Sequence, residues 1–318
     1  MRAIVSDRYG SLDVLQLKDI ERPRPGPGEV AVRVRAAGVD PSIWHLTSGQ
    51  PYLIRLLGFG LRRPRRLVPG LDLAGTIEEI GPGVTDLRPG DEVFGTADGS
   101  FAEYAIAKAS RVVAKPANLA FDQAAAVPVS ACTALKGLLS VQSGQRLLVI
   151  GAGGGVGSYA VQLAKARQAH VTGVCSTAKT DLVKMLGADE IVDYKRESIT
   201  GRYDVILDTA GDRPLSQLRQ HLSPKGTLVI VGGEGGGKLV GSVARTLRAA
   251  LLSPFVSHQL KGLIATAENP ADLLELKRLI AEGAVTPVLD RTFPLAEAVA
   301  AIRYVQQGHA RGKVVVTL

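Results

Sequence analysis

The chain has 318 residues, of which 46% are hydrophobic and 21% charged, enough for about two domains and a core that needs no disulfide or metal staple. Its two cysteines, Cys132 and Cys175, form no CxxC, which predicts small buried residues in a reducing compartment. The net charge of +8 is moderate for this length, and the sparse aromatics provide no stacking platform, so no nucleic-acid partner is expected.

In chain order, MRAIVSDRYG carries Arg2, Asp7 and Arg8 and lacks the apolar run of a secretory signal, so a cytoplasmic protein is expected. EVAVRVRAAGV alternates apolar and polar positions, LDLAGTIEEIG is a second strand-like run, and PRPGPGE, GPGVTDLRPGDE and TADGS punctuate them. Residues 1–120 are therefore expected to form a compact, largely antiparallel, barrel-like domain. Within it, LIRLLGFGLRRPRRLVPG interleaves Arg55, Arg62, Arg63, Arg65 and Arg66 with leucines. The expected form is a solvated loop whose apolar residues tuck under the domain, with peripheral membrane or partner contact as the alternative.

From residue 121 the texture changes to small helical residues and then to a βα alternation through RLLVIG, HVTGV, EIVDY, YDVILDTAG and GTLVIVGG. That alternation predicts a doubly wound parallel sheet over residues 121–284. Its first turn, RLLVIGAGGGVG, reads as a buried strand running into a helix, with Gly151, Gly154 and Gly157 spaced by three. Such a turn lets backbone approach a pyrophosphate, and the helix N-terminus then receives the anion. An NAD site usually carries Asp or Glu at the tip of the next strand. The tip here is CSTAK, where Ser176 can hydrogen-bond and Lys179 can attract a 2′-phosphate, so NADPH is favoured over NADH. LVGSVARTLRAALLSPFV is broken by Arg245, Arg248 and Pro254 and cannot span a bilayer. Residues 285–318 read as an extended run, an amphipathic helix and a final strand, GKVVVTL, expected to return to the first domain.

Taken in order, AAGVDPSIW, VPGLDLAGTIEEIGPGVTDLRPGDEVFG, FAEYA, VPVSACTALKGL, GAGGGVG, LGADEIVDY, VILDTAG and GHARGKVVV span almost the whole chain. Together they resemble the medium-chain dehydrogenase/reductase superfamily, in its zinc-free quinone-oxidoreductase-like branch. The resemblance implies a Rossmann-type parallel sheet inserted into a GroES-like barrel domain. Zinc-dependent members hold their catalytic metal with a cysteine in the first segment and a GHE motif in the barrel. This chain has Asp40 near the first and Gly70, Leu71 and Asp72 at the second, and its five histidines show no metal-ligand spacing.

Carried over by resemblance, Gly154, Gly155, Val156 and Gly157 cradle the pyrophosphate and Thr133 faces the nicotinamide side. Ser176, Lys179 and Tyr194 match positions around the adenosine 2′-phosphate. Thr209 and Ala210 follow a strand tip, Gly232 and Gly233 admit the nicotinamide ribose and amide, and Arg311 and Lys313 are cofactor contacts. Relatives commonly have Asn where Asp40 stands, which puts a neutral hydrogen-bonding role for that position in doubt.

Without a Lewis acid, simple alcohol oxidation is disfavoured, whereas a quinone or enone spreads incoming charge onto an oxygen. Asp40 and Tyr52 are the candidate polar groups for that oxygen and Trp44 a flat apolar wall; the alternatives are a turn at Asp40-Pro41 and simple packing of the two aromatics. Three functions stay open: NADPH-dependent reduction of a quinone or enone, reduction of an enoyl thioester, and a low-turnover NADPH-binding sensor. A small-molecule substrate and a homodimer are the expected partners.

Overall fold

The computed structural model describes residues 1–232, 243–263 and 269–318. It divides into two compact units. The first comprises Met1–Val129, Ala267–Gly283 and Pro287–Leu318, and the second Ser130–Thr266 and Ala284–Thr286.

The first unit opens with an antiparallel pair, β1 (Arg2–Val5) and β2 (Gln16–Asp19). Its main sheet is built from β3 (Glu29–Val39), β4 (Asp72–Ile80), β5 (Glu92–Thr96), β6 (Tyr104–Lys108) and β7 (Val112–Ala114). The alternation read in β3 holds from Val32 to Arg35: Val32 and Val34 are buried while Arg33 and Arg35 stay out. From Ala36 to Val39 every residue is buried, because this half of the strand is covered on both faces. Gly38 makes the second cover possible. A Cβ there would lie 2.6 Å from the carbonyl oxygen of Ala125, at the end of the short helix Phe121–Ala125.

The second unit is a six-stranded parallel sheet. Its strands are β8 (Arg146–Ile150), β9 (His170–Cys175), β10 (Glu190–Asp193), β11 (Tyr203–Asp208), β12 (Leu222–Val231) and β13 (Gln259–Leu263), in the order β10-β9-β8-β11-β12-β13. The apolar run Leu147–Ile150 is buried throughout, as a parallel strand covered on both faces requires. The order reverses between β8 and β11, and the crevice at such a switch point is where open α/β sheets bind ligands.

The chain then returns to the first sheet. β14 (Leu289–Pro294) and β15 (Lys313–Thr317) run parallel to each other, and β15 pairs antiparallel with β3, placing Val314 opposite Val39. This is the GroES-like barrel with a Rossmann-type sheet that the motifs implied. The change of texture at residue 121 comes before the change of unit, because the helix Phe121–Ala125 packs on β3, β4 and β5. The helix Pro270–Ala281 also belongs to the first unit, where the Asn118 side-chain amide donates to Ile280 O at 3.1 Å. Among the described residues, no helix is long and apolar enough to cross a membrane.

Candidate active site

The second unit carries a candidate dinucleotide seat. β8 ends at Ile150, and Gly151 turns the chain with φ at 85° while its N–H donates to Val174 O at 3.0 Å. The helix Gly155–Ala166 (α1) starts directly after Gly154, so its first N–H groups lack intrahelical partners and face any anion placed there. Gly157 is required sterically, since a Cβ there would sit 2.1 Å from Gly151 O. Thr209, at the tip of β11, donates its hydroxyl to Ile150 O at 2.8 Å and lies against Gly151. Ala210 N donates to Asp208 Oδ1 at 3.2 Å. These contacts hold the tips of the two switch-point strands together.

Lys179 is brought to the glycine turn by its aliphatic stem. A Cβ on Gly153 would fall 2.9 Å from Lys179 Cβ and Cδ, so the absence of a side chain at residue 153 lets the lysine lie across the turn. Ser176 opens the 3-10 turn Thr177–Lys179, and Tyr194 is half-exposed. Gly232 follows β12 with φ at 62°, whereas Gly233 lies outside the described residues. Thr133 is fully buried and its hydroxyl has no hydrogen-bond partner among the described residues. An orphaned hydroxyl of this kind carries a desolvation cost that a ligand group would relieve.

The expectation of an acid-free strand tip needs correction. β10 pairs with β9 so that Asp193 lies opposite Cys175, which delivers a carboxylate from the neighbouring strand. That carboxylate is already committed: Oδ2 accepts the Thr177 hydroxyl at 2.5 Å and Oδ1 accepts Lys195 N at 3.0 Å. The Thr177 bond holds its pKa below the ordinary carboxylate value. Lys195 and Arg196 follow it, exposed, and Arg196 Nε is 3.6 Å from Oδ2. The YKR triplet was the available signal for this second basic element, although only strand pairing places it beside CSTAK.

The first unit contributes a buried acid cluster beside a cavity. Asp40 ends the run that follows β3, and its Oδ1 accepts both the backbone N–H of Ser42 at 3.0 Å and the Ser42 hydroxyl at 2.5 Å. This local bonding starts the helix Ser42–Ser48, as a short carboxylate does before a helix. Its other oxygen, Oδ2, is buried without a hydrogen-bond partner among the described residues. Asp72, the first residue of β4, is fully buried; Val129 N donates to Oδ1 at 2.9 Å and the Lys313 ammonium to Oδ2 at 3.4 Å. Burial pushes its pKa up to about 7, with Lys313 opposing the shift and the nearby Asp40 charge adding to it.

A cavity of about 320 Å³ lies within this unit, walled by Ile43, Leu46, Phe59 and Leu71, with Ser42 and Arg65 among its polar edges. Ser42 therefore stands between Asp40 and the cavity. Its position immediately after the Asp40-Pro41 pair, at a helix start, was the sequence signal for it.

Several expected placements change. Lys313 is buried at 3% exposure with its ammonium turned onto Asp72, so it offers no surface to a dinucleotide. Arg311 is exposed, with its backbone N–H bonded to Asp290. Trp44 belongs to the hydrophobic core and is no cavity wall. Tyr52 is 41% exposed and its ring lies under the Arg55 guanidinium at 4.7 Å, away from the cavity-lining set. Arg55 also covers Tyr9 at 4.3 Å and donates to Gly49 O and Ser48 O. Three leucines of this segment do not tuck under the domain: Leu56, Leu61 and Leu67 are 71%, 65% and 50% exposed.

The donor set does not suit zinc. Among the described residues no group of three or more His, Cys, Asp or Glu side chains could hold a metal. Asp40 and Asp72 are engaged by Ser42, Val129 and Lys313, and a zinc site is ordinarily built from nitrogen and sulfur ligands that do not surround them.

Residues 26–117 match the alcohol dehydrogenase GroES-like domain family, and residues 186–316 match the family described as zinc-binding dehydrogenase. The chloroplastic quinone-oxidoreductase QR1 of Triphysaria versicolor is 33% identical over 99% of this chain and 98% of its own. The chloroplastic NADPH-dependent alkenal/one oxidoreductase of Arabidopsis thaliana is also 33% identical, over 99% of this chain and 79% of its own. The solved quinone oxidoreductase from Coxiella burnetii superposes with a TM-score of 0.88 at 28% identity, covering 100% of this chain and 99% of that one. The chain belongs to the medium-chain dehydrogenase/reductase superfamily, in its quinone oxidoreductase-like branch. It is accordingly an oxidoreductase that works with a nicotinamide cofactor.

Proposed function

We propose that the chain is a zinc-independent, NADPH-dependent reductase of quinones or α,β-unsaturated carbonyls. The observation that carries this reading is the Ser42 hydroxyl, held 2.5 Å from the buried Asp40 carboxylate at the wall of a mostly apolar cavity. An apolar cavity with a few placed polar groups suits a flat conjugated acceptor. Two relatives whose names specify quinones and alkenals or alkenones as substrates lend support.

In this reading Gly154, Gly155, Val156 and Gly157 hold the pyrophosphate at the N-terminus of α1, and Thr209, Ala210 and Gly232 border the nicotinamide end. Thr133 supplies its unpartnered hydroxyl, and Ser176, Lys179 and Tyr194 surround the 2′-phosphate, with Lys195 and Arg196 adding positive charge beside them. Arg311 remains a surface candidate for the same cofactor. Bound NADPH supplies the hydride.

The chain's own task is then to supply a proton to the oxygen on which charge accumulates. Two buried carboxylates, Asp40 and Asp72, lie near enough for the Asp40 charge to raise the Asp72 pKa, and the Lys313 ammonium donates to Asp72. Burial keeps a proton on Asp72 up to about pH 7, which lessens the uncompensated buried charge of the cluster. The Ser42 hydroxyl, 2.5 Å from Asp40 Oδ1 and on the cavity wall, is the group placed to hydrogen-bond the acceptor's oxygen and pass it a proton. Tyr52 is a weaker candidate for this role, because it lies outside the cavity wall.

The test is steady-state oxidation of NADPH against a panel of quinones, enones and enoyl thioesters, with and without chelator. Turnover of quinones or enones that survives chelation is expected, and Ser42→Ala should lower kcat by about 100-fold with a small change in KM, the usual scale of a positioned acid. No turnover on any quinone or enone, or activity restored only by zinc, defeats the reading. Unchanged kcat in Ser42→Ala removes the proton route.

A further inference from the structure

We propose that the segment from Arg55 to Leu67 is a docking surface for anionic lipid membranes. It contains five arginines and no acidic residue. Arg55 is spent between Tyr9 and Tyr52, and Arg66 pairs with Asp98 at 2.9 Å. Arg62, Arg63 and Arg65 are exposed and make no ion pair among the described residues. Between them Leu56, Leu61 and Leu67 hold large side chains in water at 71%, 65% and 50% exposure.

Exposed leucines in a basic segment are costly in water, and both features are satisfied by the same environment. The acyl boundary takes the leucines while anionic headgroups take the guanidiniums. The fold presents the segment on a fixed base. Tyr9 donates its hydroxyl to Phe59 O and Gly60 O, at 2.9 and 2.7 Å, and Arg65 N donates to Phe59 O at 3.0 Å. Gly60, with φ at 110°, makes the tight return that this last bond closes, since a Cβ there would lie 2.1 Å from Arg63 O. Phe59, Pro64, Arg65 and Leu67 also line the cavity. A surface that binds lipid is thus part of the wall of the space in which an apolar acceptor would lie.

A lipid surface is favoured over a protein partner by the chemistry of the patch. Charged and apolar groups are mixed residue by residue, and its unpaired charge is all of one sign. The proposal does not depend on the reductase reading, since binding is measured without turnover.

The experiment is co-sedimentation of the full chain with phosphatidylcholine vesicles and with the same vesicles containing phosphatidylglycerol, at low and at raised salt. Strong binding is expected only with phosphatidylglycerol, weakening as salt screens the arginines. The double variant Arg62→Gln, Arg63→Gln should lose roughly 30-fold in partitioning, because each arginine near an anionic surface contributes about a factor of five. Leu56→Ser with Leu61→Ser should weaken binding most at raised salt, where insertion of the leucines is what remains. Both pairs lie outside the cavity, and an unchanged melting temperature certifies the fold. Failure to sediment with anionic vesicles, equal binding to both lipid mixtures, or full binding by the arginine variant overturns the proposal.

Discussion

The two units carry candidate functional features built from different materials. The candidate nucleotide seat in the second unit is made of backbone: free N–H groups at the start of α1, a carbonyl at Gly151, and glycines whose missing side chains create the space. The acid cluster in the first unit is made of side chains delivered by three separate strands, with Asp40 following β3, Asp72 opening β4 and Lys313 opening β15. A seat of the first kind tolerates change in its neighbours as long as the glycines persist. A cluster of the second kind is charge-balanced, and losing one member leaves the others buried without compensation.

The largest effect is expected from breaking that balance. The folded state raises the Asp72 pKa from 3.8 to about 7, so it holds this proton more tightly than the unfolded chain does. Stability from this group is therefore fully present at acid pH and declines as pH rises through 7. Lys313→Met removes the opposing ammonium, and the carboxyl then resists ionisation further. The variant should lose about 3–5 kcal/mol at pH 8, the scale of a broken buried pair, and much less at pH 5, where Asp72 is protonated. Denaturant unfolding at the two pH values measures this. An equal loss at both would mean that Lys313 matters for packing and not for charge.

A smaller effect is expected in the backbone-built half. Gly157→Ala must move either α1 or the Gly151 turn to accommodate its methyl group, and should cost about 1–3 kcal/mol of stability, as overpacking does. Its dinucleotide affinity should fall as well. Calorimetric titration with NADPH alongside thermal melting separates the two, and normal affinity would show that the turn relaxes freely. The smallest effect is the most specific one. Lys179→Ala should weaken NADPH by about 10-fold while leaving NADH nearly unchanged, the contribution of one charge-assisted hydrogen bond. Equal losses for both cofactors would assign Lys179 to the pyrophosphate or to packing.

The same contrast explains what was legible in the sequence. Gly151, Gly154 and Gly157 declare their role through local spacing, and the buried run before them declares a parallel strand, so the seat and its sheet could be read without coordinates. Asp193 could not be placed beside Ser176, because that proximity depends on β10 lying next to β9. The motif around Lys313 implies a cofactor contact. The burial of Lys313 follows from the pairing of β15 with β3, which carries the ammonium to a carboxylate 241 positions away. Ser42 was within reach of a local reading, since an Asp-Pro-Ser start to a helix implies side-chain bonding back to the aspartate. The leucines of the arginine-rich segment were misjudged for a different reason. Apolar residues in a loop normally find cover, and nothing in composition alone says that Leu56 and Leu61 do not.

The pairing of β15 with β3 also imposes an order of assembly. The second unit is almost continuous, Ser130–Thr266, whereas the first is assembled from segments on both sides of it. During synthesis the parallel sheet has all but three of its residues once Thr266 has emerged, while β3 still lacks one of its neighbours. Non-local closures of this length are slow steps, and an unpaired edge is prone to wrong partners while it waits. The growing chain thus completes its candidate phosphate seat first. Lys313 opens the last strand, so its ion pair with Asp72 forms only when that strand docks.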